Sequence, residues 1–284
     1  KWMAGGKVMR KSFRKEMMTD KHFVSFHDYE NDRIIFPTSH NDGGICYFLW
    51  SSIHKGTTLY NYYPIYGKVI STNRYLDLGN SDIIIRDIRR EVIIKKVSSK
   101  QLFKEVVSLT QPFGIRKDLF NNPDNYPNAN LKFDKFEGAI KIYGVKGIKG
   151  GAKRICGYIS PIIVGKNKDW IKLYKIFFTT SYSTNAFNPP EPIVGNKNEI
   201  CTETFLVIGP FATKDEQQNC LHYINTMFFK TLLYYGRGTM QVSQDVFRFI
   251  PLQDFTSNSD IDWSRSIGEI DAQLYEKYGL ERDE

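Results

Sequence analysis

At 284 residues the chain is long enough for one large core or two ordinary ones. Its composition is that of a globular protein, 41% hydrophobic and 25% charged. No apolar run reaches the ~18 residues of a membrane span, so no membrane partner is expected. A net charge of +8 points to a polyanion. The four cysteines are scattered, as buried thiols in a reducing, cytoplasmic setting would be, and the histidine spacing argues against a metal site.

The opening residues are basic and amphipathic but too polar for a secretory signal. Residues 8–20 predict a helix with Val8, Met9, Phe13 and Met17 inward and Lys7, Arg10, Lys11, Arg14 and Lys15 outward. Alternation predicts a strand over 22–29 (HFVSFHDY). Ile34, Ile35, Phe36 and Pro37 follow, then a loop, TSHNDGG. A continuous apolar run over 45–50 (ICYFLW) predicts a buried strand. Helix, strand, loop, strand is the order expected at the closing edge of a larger α/β sheet. Fifty residues cannot cover such a sheet, and no initiator methionine opens the chain, so a piece of a longer protein is expected.

A polar turn over 51–58 suggests a boundary. Strand-like runs fall at 68–71 and 83–85, and two short helices break near Ser98 and Ser99 within 91–107. The stretch 121–130 (NNPDNYPNAN) is a long polar loop. Further strands are predicted over 136–143, 155–160, 175–180 and 199–208, with a Pro/Asn/Gly-rich loop at 185–198. Thr213 and Glu216 form a T-x-x-E capping pattern ahead of apolar residues at helical spacing, and Gly236 ends that helix. A loop bearing Arg237, Thr239, Gln241 and Ser243 leads to a strand over 246–252 (VFRFIPL). Asp271 is read as the cap of a last short helix ending at Gly279.

Charge is unevenly spread. Between Lys141 and Lys175 basic residues dominate and Asp169 is the only acid, whereas acids prevail after Gln253. A basic middle with an acidic end suits a polyanion-binding surface backed by a solvating tail, although a solvated face gives the same pattern. A guanidinium, an amide and hydroxyls held out on the 236–244 loop suit phosphates and base edges; an ordinary surface loop with one arginine is the plainer alternative.

Two stretches, RIIFPTSHNDGGICYFLW at 33–50 and CTETFLVIGPF with FFKTLLYYGRGTMQVSQDVFRFIPLQDF at 201–255, resemble the C-terminal part of type II restriction–modification adenine-N6 DNA methyltransferases. That group includes fused restriction–methylation enzymes. The resemblance implies an α/β, overall α+β, chain in which the C-terminal edge of a Rossmann-like methyltransferase sheet occupies 1–55. A mixed α+β target-recognition domain would fill 56–255, and an acidic tail with a short helix 256–284. It implies double-stranded DNA as partner and S-adenosylmethionine as cofactor of the parent enzyme. It also implies an adenine flipped out of the stack for methylation, since its N6 cannot react inside the duplex. The family's phenylalanine that stacks on the extruded base matches Phe36; a core or turn phenylalanine is the alternative.

The family's catalytic Asn/Asp-Pro-Pro-aromatic motif has only Asn188-Pro189-Pro190-Glu191 to match it, with a carboxylate where the aromatic belongs. Gly147, Gly150 and Gly151 precede no predicted helix, unlike the family's glycine-rich cofactor motif. The chain is therefore expected to lack the N-terminal catalytic domain and, alone, to bind no methyl donor and be inactive. Lys153 and Arg154 are expected phosphate contacts from the basic stretch, and Lys172, Lys175 and Tyr182, bordering the strand that faces the 236–244 loop, are further candidate DNA contacts. Arg237 and Gln241 are first choices for guanine and adenine, with Thr239 and Ser243 beside them. Arg116 and Lys117 are either phosphate contacts or plain surface charges. A stand-alone specificity subunit and the recognition part of a restriction endonuclease are the alternatives.

Overall fold

The structure, a computed structural model, describes residues 3, 10–38, 43–77, 83–149, 151–183 and 186–281. It is a mixed α+β chain that divides into two compact units, Lys1–Lys96 with Arg237–Met240, and Val97–Gly236 with Gln241–Glu284. The division falls at 96/97, whereas the turn over 51–58 leads directly into a strand of the first sheet.

In the first unit α1 (Lys11–Thr19) leads into β1 (Phe23–Tyr29), followed by β2 (Ile45–Trp50), β3 (Thr58–Tyr63), β4 (Ile70–Arg74) and α2 (Ile88–Lys96). The strands form one sheet in the order β2-β1-β3-β4. β1 runs antiparallel to β2 and parallel to β3. Phe26 enters a core with Tyr60, Tyr62, Leu76, Ile84 and Met18, and a register shift between Phe23 and Ser25 lets Phe23 join it despite being three residues away. His27, Tyr29, Tyr47 and Tyr63 stack on one another, Tyr29 and Tyr63 at 4.0 Å between ring centroids.

Two expectations change here. The inward side of α1 is set by Arg14 and Met18, four residues apart, so Phe13 is exposed and Arg14 is not. Lys7, Val8 and Met9 lie outside the described residues. The run 45–50 is a strand but not a buried one: Tyr47, Phe48, Leu49 and Trp50 are 42–58% exposed. β2 is the edge of its sheet and has a strand on one side only, among the described residues. Residues 83–85 are buried but irregular.

The second unit carries a single turn α3 (Asp118–Asn121), then β5 (Ile140–Ile148), β6 (Gly151–Ile159), β7 (Tyr174–Thr179), β8 (Ile193–Gly195), β9 (Glu199–Cys201) and β10 (Phe205–Phe211). Helices α4 (Lys214–Asn225), α5 (Met227–Gly236) and α6 (Ile267–Tyr278) complete it. Its sheets run β10-β7-β8 and β6-β5-β9. They share a core built on Phe113, Leu119, Phe120, Ile142, Ile159, Phe177, Ile200, Phe205 and Val207. A second cluster forms where Tyr223 and Phe229 meet Phe103 and Phe103 meets Phe247.

The predicted strand over 199–208 is two strands, because the chain turns at Thr202–Thr204; the Thr202 and Thr204 hydroxyls share a hydrogen bond of 2.8 Å. The helix over 213–236 is also two. Thr226 leaves helical geometry at ψ 154°, donates its hydroxyl to the Tyr223 carbonyl and accepts from Phe229 N, so it restarts the helix as a cap. The Asp271 carboxylate accepts the Met227 and Phe228 amides at 2.8 and 2.9 Å. Asp271 thus caps α5, not its own helix; α6 is capped by Ser266 with Glu269 in a capping box.

No strand forms over 246–252. Gln244–Phe247 is a 3-10 turn, and Val246, Phe247, Phe249 and Ile250 are all buried, which alternation along a half-covered strand does not allow. Nor is the region from 256 a solvating tail, for Ile261, Trp263, Ile270 and Leu274 are buried.

Candidate nucleic-acid interface

In the first unit the expected stacking residue sits on a short turn. Asn31 opens a 3-10 turn, Asp32–Ile34, by accepting the Arg33 amide, and the Phe36 amide donates to the Asp32 carbonyl at 2.9 Å. The turn thereby lifts Ile34, Ile35 and Phe36 away from the core, leaving Phe36 49% exposed. Residues 39–42 lie outside the described residues. At Gly44, φ is +80° and a Cβ would lie 2.0 Å from the Tyr29 carbonyl oxygen, so only glycine lets β2 start against the end of β1. A Cβ on Gly43 would lie 2.6 Å from the Gly238 carbonyl oxygen, so the Arg237–Met240 segment passes close to the backbone at Gly43.

Two residues outside the expected set hold that turn. The Arg86 guanidinium donates to the Gly43 carbonyl and pairs through Nε with the buried Asp28 at 3.0 Å. Tyr60 donates its hydroxyl to the same carboxylate at 2.6 Å. Burial pushes the Asp28 carboxyl up, against the pull of Arg86 and Tyr60. The sequence carried a signal for this. Asp28 shares a strand face with Phe26, and an acid in an inward register demands a cation.

Arg237 and Thr239 belong to the first unit and are partly exposed; Gln241 and Ser243 belong to the second and are exposed. Gln241 bridges to Ser181, and the next amide, on Val242, donates to the Thr180 carbonyl, which fixes this side of the loop on the end of β7.

Lys153, Arg154 and Lys172 are exposed. Arg154 donates through Nη1 to the Glu191 carbonyl at 2.8 Å and lies over the Phe205 ring, so part of its guanidinium is used within the unit. Lys175 is not available to a phosphate. It is 0% exposed, and its ammonium donates to the Asn196 and Glu199 carbonyls at 3.1 and 2.9 Å. Burial pulls its pKa down to about 8, against Glu199 and Cys201. Tyr182, at 7% exposed, is likewise an interior residue rather than a surface contact. Of the four thiols Cys201 and Cys220 are buried, Cys46 is half-buried and Cys156 is exposed, so burial does not hold for all.

Neither cofactor-like stretch forms a strand-to-helix turn. Gly147 and Gly151 lie on β5 and β6 at the end of a hairpin, and 188–192 is irregular. Among the described residues, no group of three His, Cys, Asp or Glu could hold a metal, and no helix is long and apolar enough to cross a membrane. No known family model matches the chain, and no curated protein gives a significant match.

Proposed function

We propose that this chain is the DNA-recognition region of a restriction–modification adenine-N6 DNA methyltransferase. In this reading an N-terminal catalytic domain binds S-adenosylmethionine and methylates an extruded adenine. The observation that carries the reading is Phe36, half exposed on a tight turn, in the same compact unit as Arg237–Met240. An aromatic ring in that position can replace the stacking an extruded base loses, worth roughly 1–3 kcal/mol. The exposed, wholly apolar β2 supports the same reading, since a strand apolar on both faces suits the interior of a wider sheet better than a solvent edge.

Arg237 would read guanine through a bidentate contact and Gln241 adenine, at about 1–3 kcal/mol of discrimination each. Lys153 and Lys172 would neutralise phosphates; Lys175 and Tyr182 take no part. The test is titration of a mixed-sequence DNA duplex with this chain between about 50 and 200 mM salt. Affinity should fall steeply with salt, and Phe36→Ala should leave duplex affinity within about two-fold, because a stacked duplex offers Phe36 no extruded base. Affinity indifferent to salt would overturn the proposal.

A further inference from the structure

The basic middle of the sequence folds into a β-ribbon. β5 and β6 pair antiparallel over nine residues each, from Ile140 opposite Ile159 to Ile148 opposite Gly151. β9 pairs with β5 only from Lys141 to Tyr143. Beyond Tyr143 no third strand joins, among the described residues, and the Gly147 amide donates instead to Asn121 Oδ1 at 3.3 Å. The lower part of the ribbon is held by close packing. A Cβ on Gly144 would lie 2.5 Å from the Phe120 ring, so the strand lies flat on that side chain. In the upper part, residues 146–149 and 151–154 are exposed.

Register decides what that exposed part displays. Lys146 stands directly opposite Lys153, so both ammonium groups leave the same face. Lys149 sits at the bend. The hairpin sequence 140–159 contains no acid, and no ion pair among the described residues reaches Lys146, Lys149 or Lys153. Like charges placed directly across a strand pair are destabilising in the unbound protein. The placement becomes favourable when an anion lies between or beside them. On the opposite face Gly147 is paired with Ala152, so the ribbon is thin where its charge is greatest.

From these features, and resting on the DNA-recognition reading, we infer that the β5–β6 ribbon enters the major groove of B-form DNA, with Lys146, Lys149 and Lys153 against the flanking phosphates. The dimensions agree. The major groove, about 12 Å wide and 8.5 Å deep, admits a two-stranded ribbon. The four residue steps from Gly144 to Ile148 span about 14 Å at the rise of an antiparallel strand. The A-form major groove of RNA is too narrow and deep to take it. The base-reading loop expected from the sequence is a different stretch of the chain, 236–244. The ribbon is therefore a second DNA-reading element, one that sequence periodicity ended at Tyr143 and resumed at Ile155.

The test compares the native chain with Lys146→Gln/Lys149→Gln/Lys153→Gln and with a charge-matched control, Lys104→Gln/Lys135→Gln/Lys214→Gln, lysines of the same unit outside the ribbon. Each is titrated with a mixed-sequence B-form DNA duplex across the same salt range, and guanine N7 and adenine N3 are probed by dimethyl sulfate. The ribbon variant should lose about two to three units from the log–log salt slope and bind at least ten-fold more weakly. The control should keep the native slope, and the native complex should protect guanine N7, which faces the major groove. Native binding that both variants weaken alike would overturn the ribbon's role while leaving DNA recognition standing. Protection confined to adenine N3, or equal affinity for an A-form RNA duplex, would overturn major-groove entry. A native chain with no salt-dependent DNA binding would overturn the underlying reading.

Discussion

Lys175 shows how a single side chain can reverse its expected role. Local sequence placed it in a basic stretch, beside Lys172, and nothing within a few residues marks it as different. Its burial comes from β8 and the turn before β9, which bring the Asn196 and Glu199 carbonyls to its ammonium. The folded pKa of about 8 lies below the unfolded value near 10.4. The unfolded chain therefore binds more protons between those values, and stability from this group rises with pH across that window. Its cost is present in full below pH 8, on the order of 3 kcal/mol, and fades as pH climbs towards 10.4. Urea denaturation at pH 7 and pH 9.5 should show the native chain gaining relative to Lys175→Met, which lacks the titrating group. Parallel pH profiles for the two proteins would rule the lysine out as the source. Phe36 is the contrary case at this scale. Its Phe-Pro turn is local, so its exposed position was open to sequence reading, whereas the Arg86–Asp28 pair that steadies the nearby turn links residues 58 apart in the chain.

Elements show the same division between local and distant causes. The Thr213 cap was legible because its partner, Glu216 N, is three residues away; the hydrogen bond is 3.2 Å. β1 was legible as a strand from its local run of aromatic and β-branched residues, although a register shift near Phe23 breaks its alternation. The break at Thr226 was not, since half of its support is Asp271, on another helix. Removing that carboxylate in Asp271→Ala should leave the buried Phe228 amide and the partly buried Met227 amide without this acceptor and cost about 1–2 kcal/mol, in the range of a lost helix cap. The denaturation midpoint should fall with an unchanged m-value, and Asp271→Asn should recover part of the loss through its remaining carbonyl oxygen. An Ala variant as stable as the native chain would mean that Thr226 alone starts α5. Residues 246–252 were misread for a related reason. Their apolar run looks like a strand, but its side chains fill space around Phe103 and Phe229, and the backbone bonds irregularly to 101–103.

At the scale of the whole chain, charge distribution suggested a basic surface with an acidic tail for solubility, and only the first half of that pattern keeps its meaning. The acids from 256 onward ride on a segment whose apolar side chains are interior. Trp263 donates Nε1 to the Asp254 carbonyl at 3.0 Å and packs on Tyr223 and Phe255. Lys277 pairs with Asp260 at 2.7 Å, and Arg265 with Asp262 at 2.9 Å, so much of the charge is answered within the segment. A tail serving only as a solvating end could be removed without thermodynamic effect. Here deletion of 256–284 would expose what Ile261, Trp263, Ile270 and Leu274 now cover and remove the Asp271 cap. At roughly 1.5–3 kcal/mol per buried apolar side chain, the loss is on the order of 6–12 kcal/mol. That rivals the whole stability of a typical domain, about 5–15 kcal/mol. The deletion should therefore abolish slow hydrogen exchange in β7 and β10, the strands that report on the second unit. Retention of native exchange rates there would show that the acidic segment is dispensable after all.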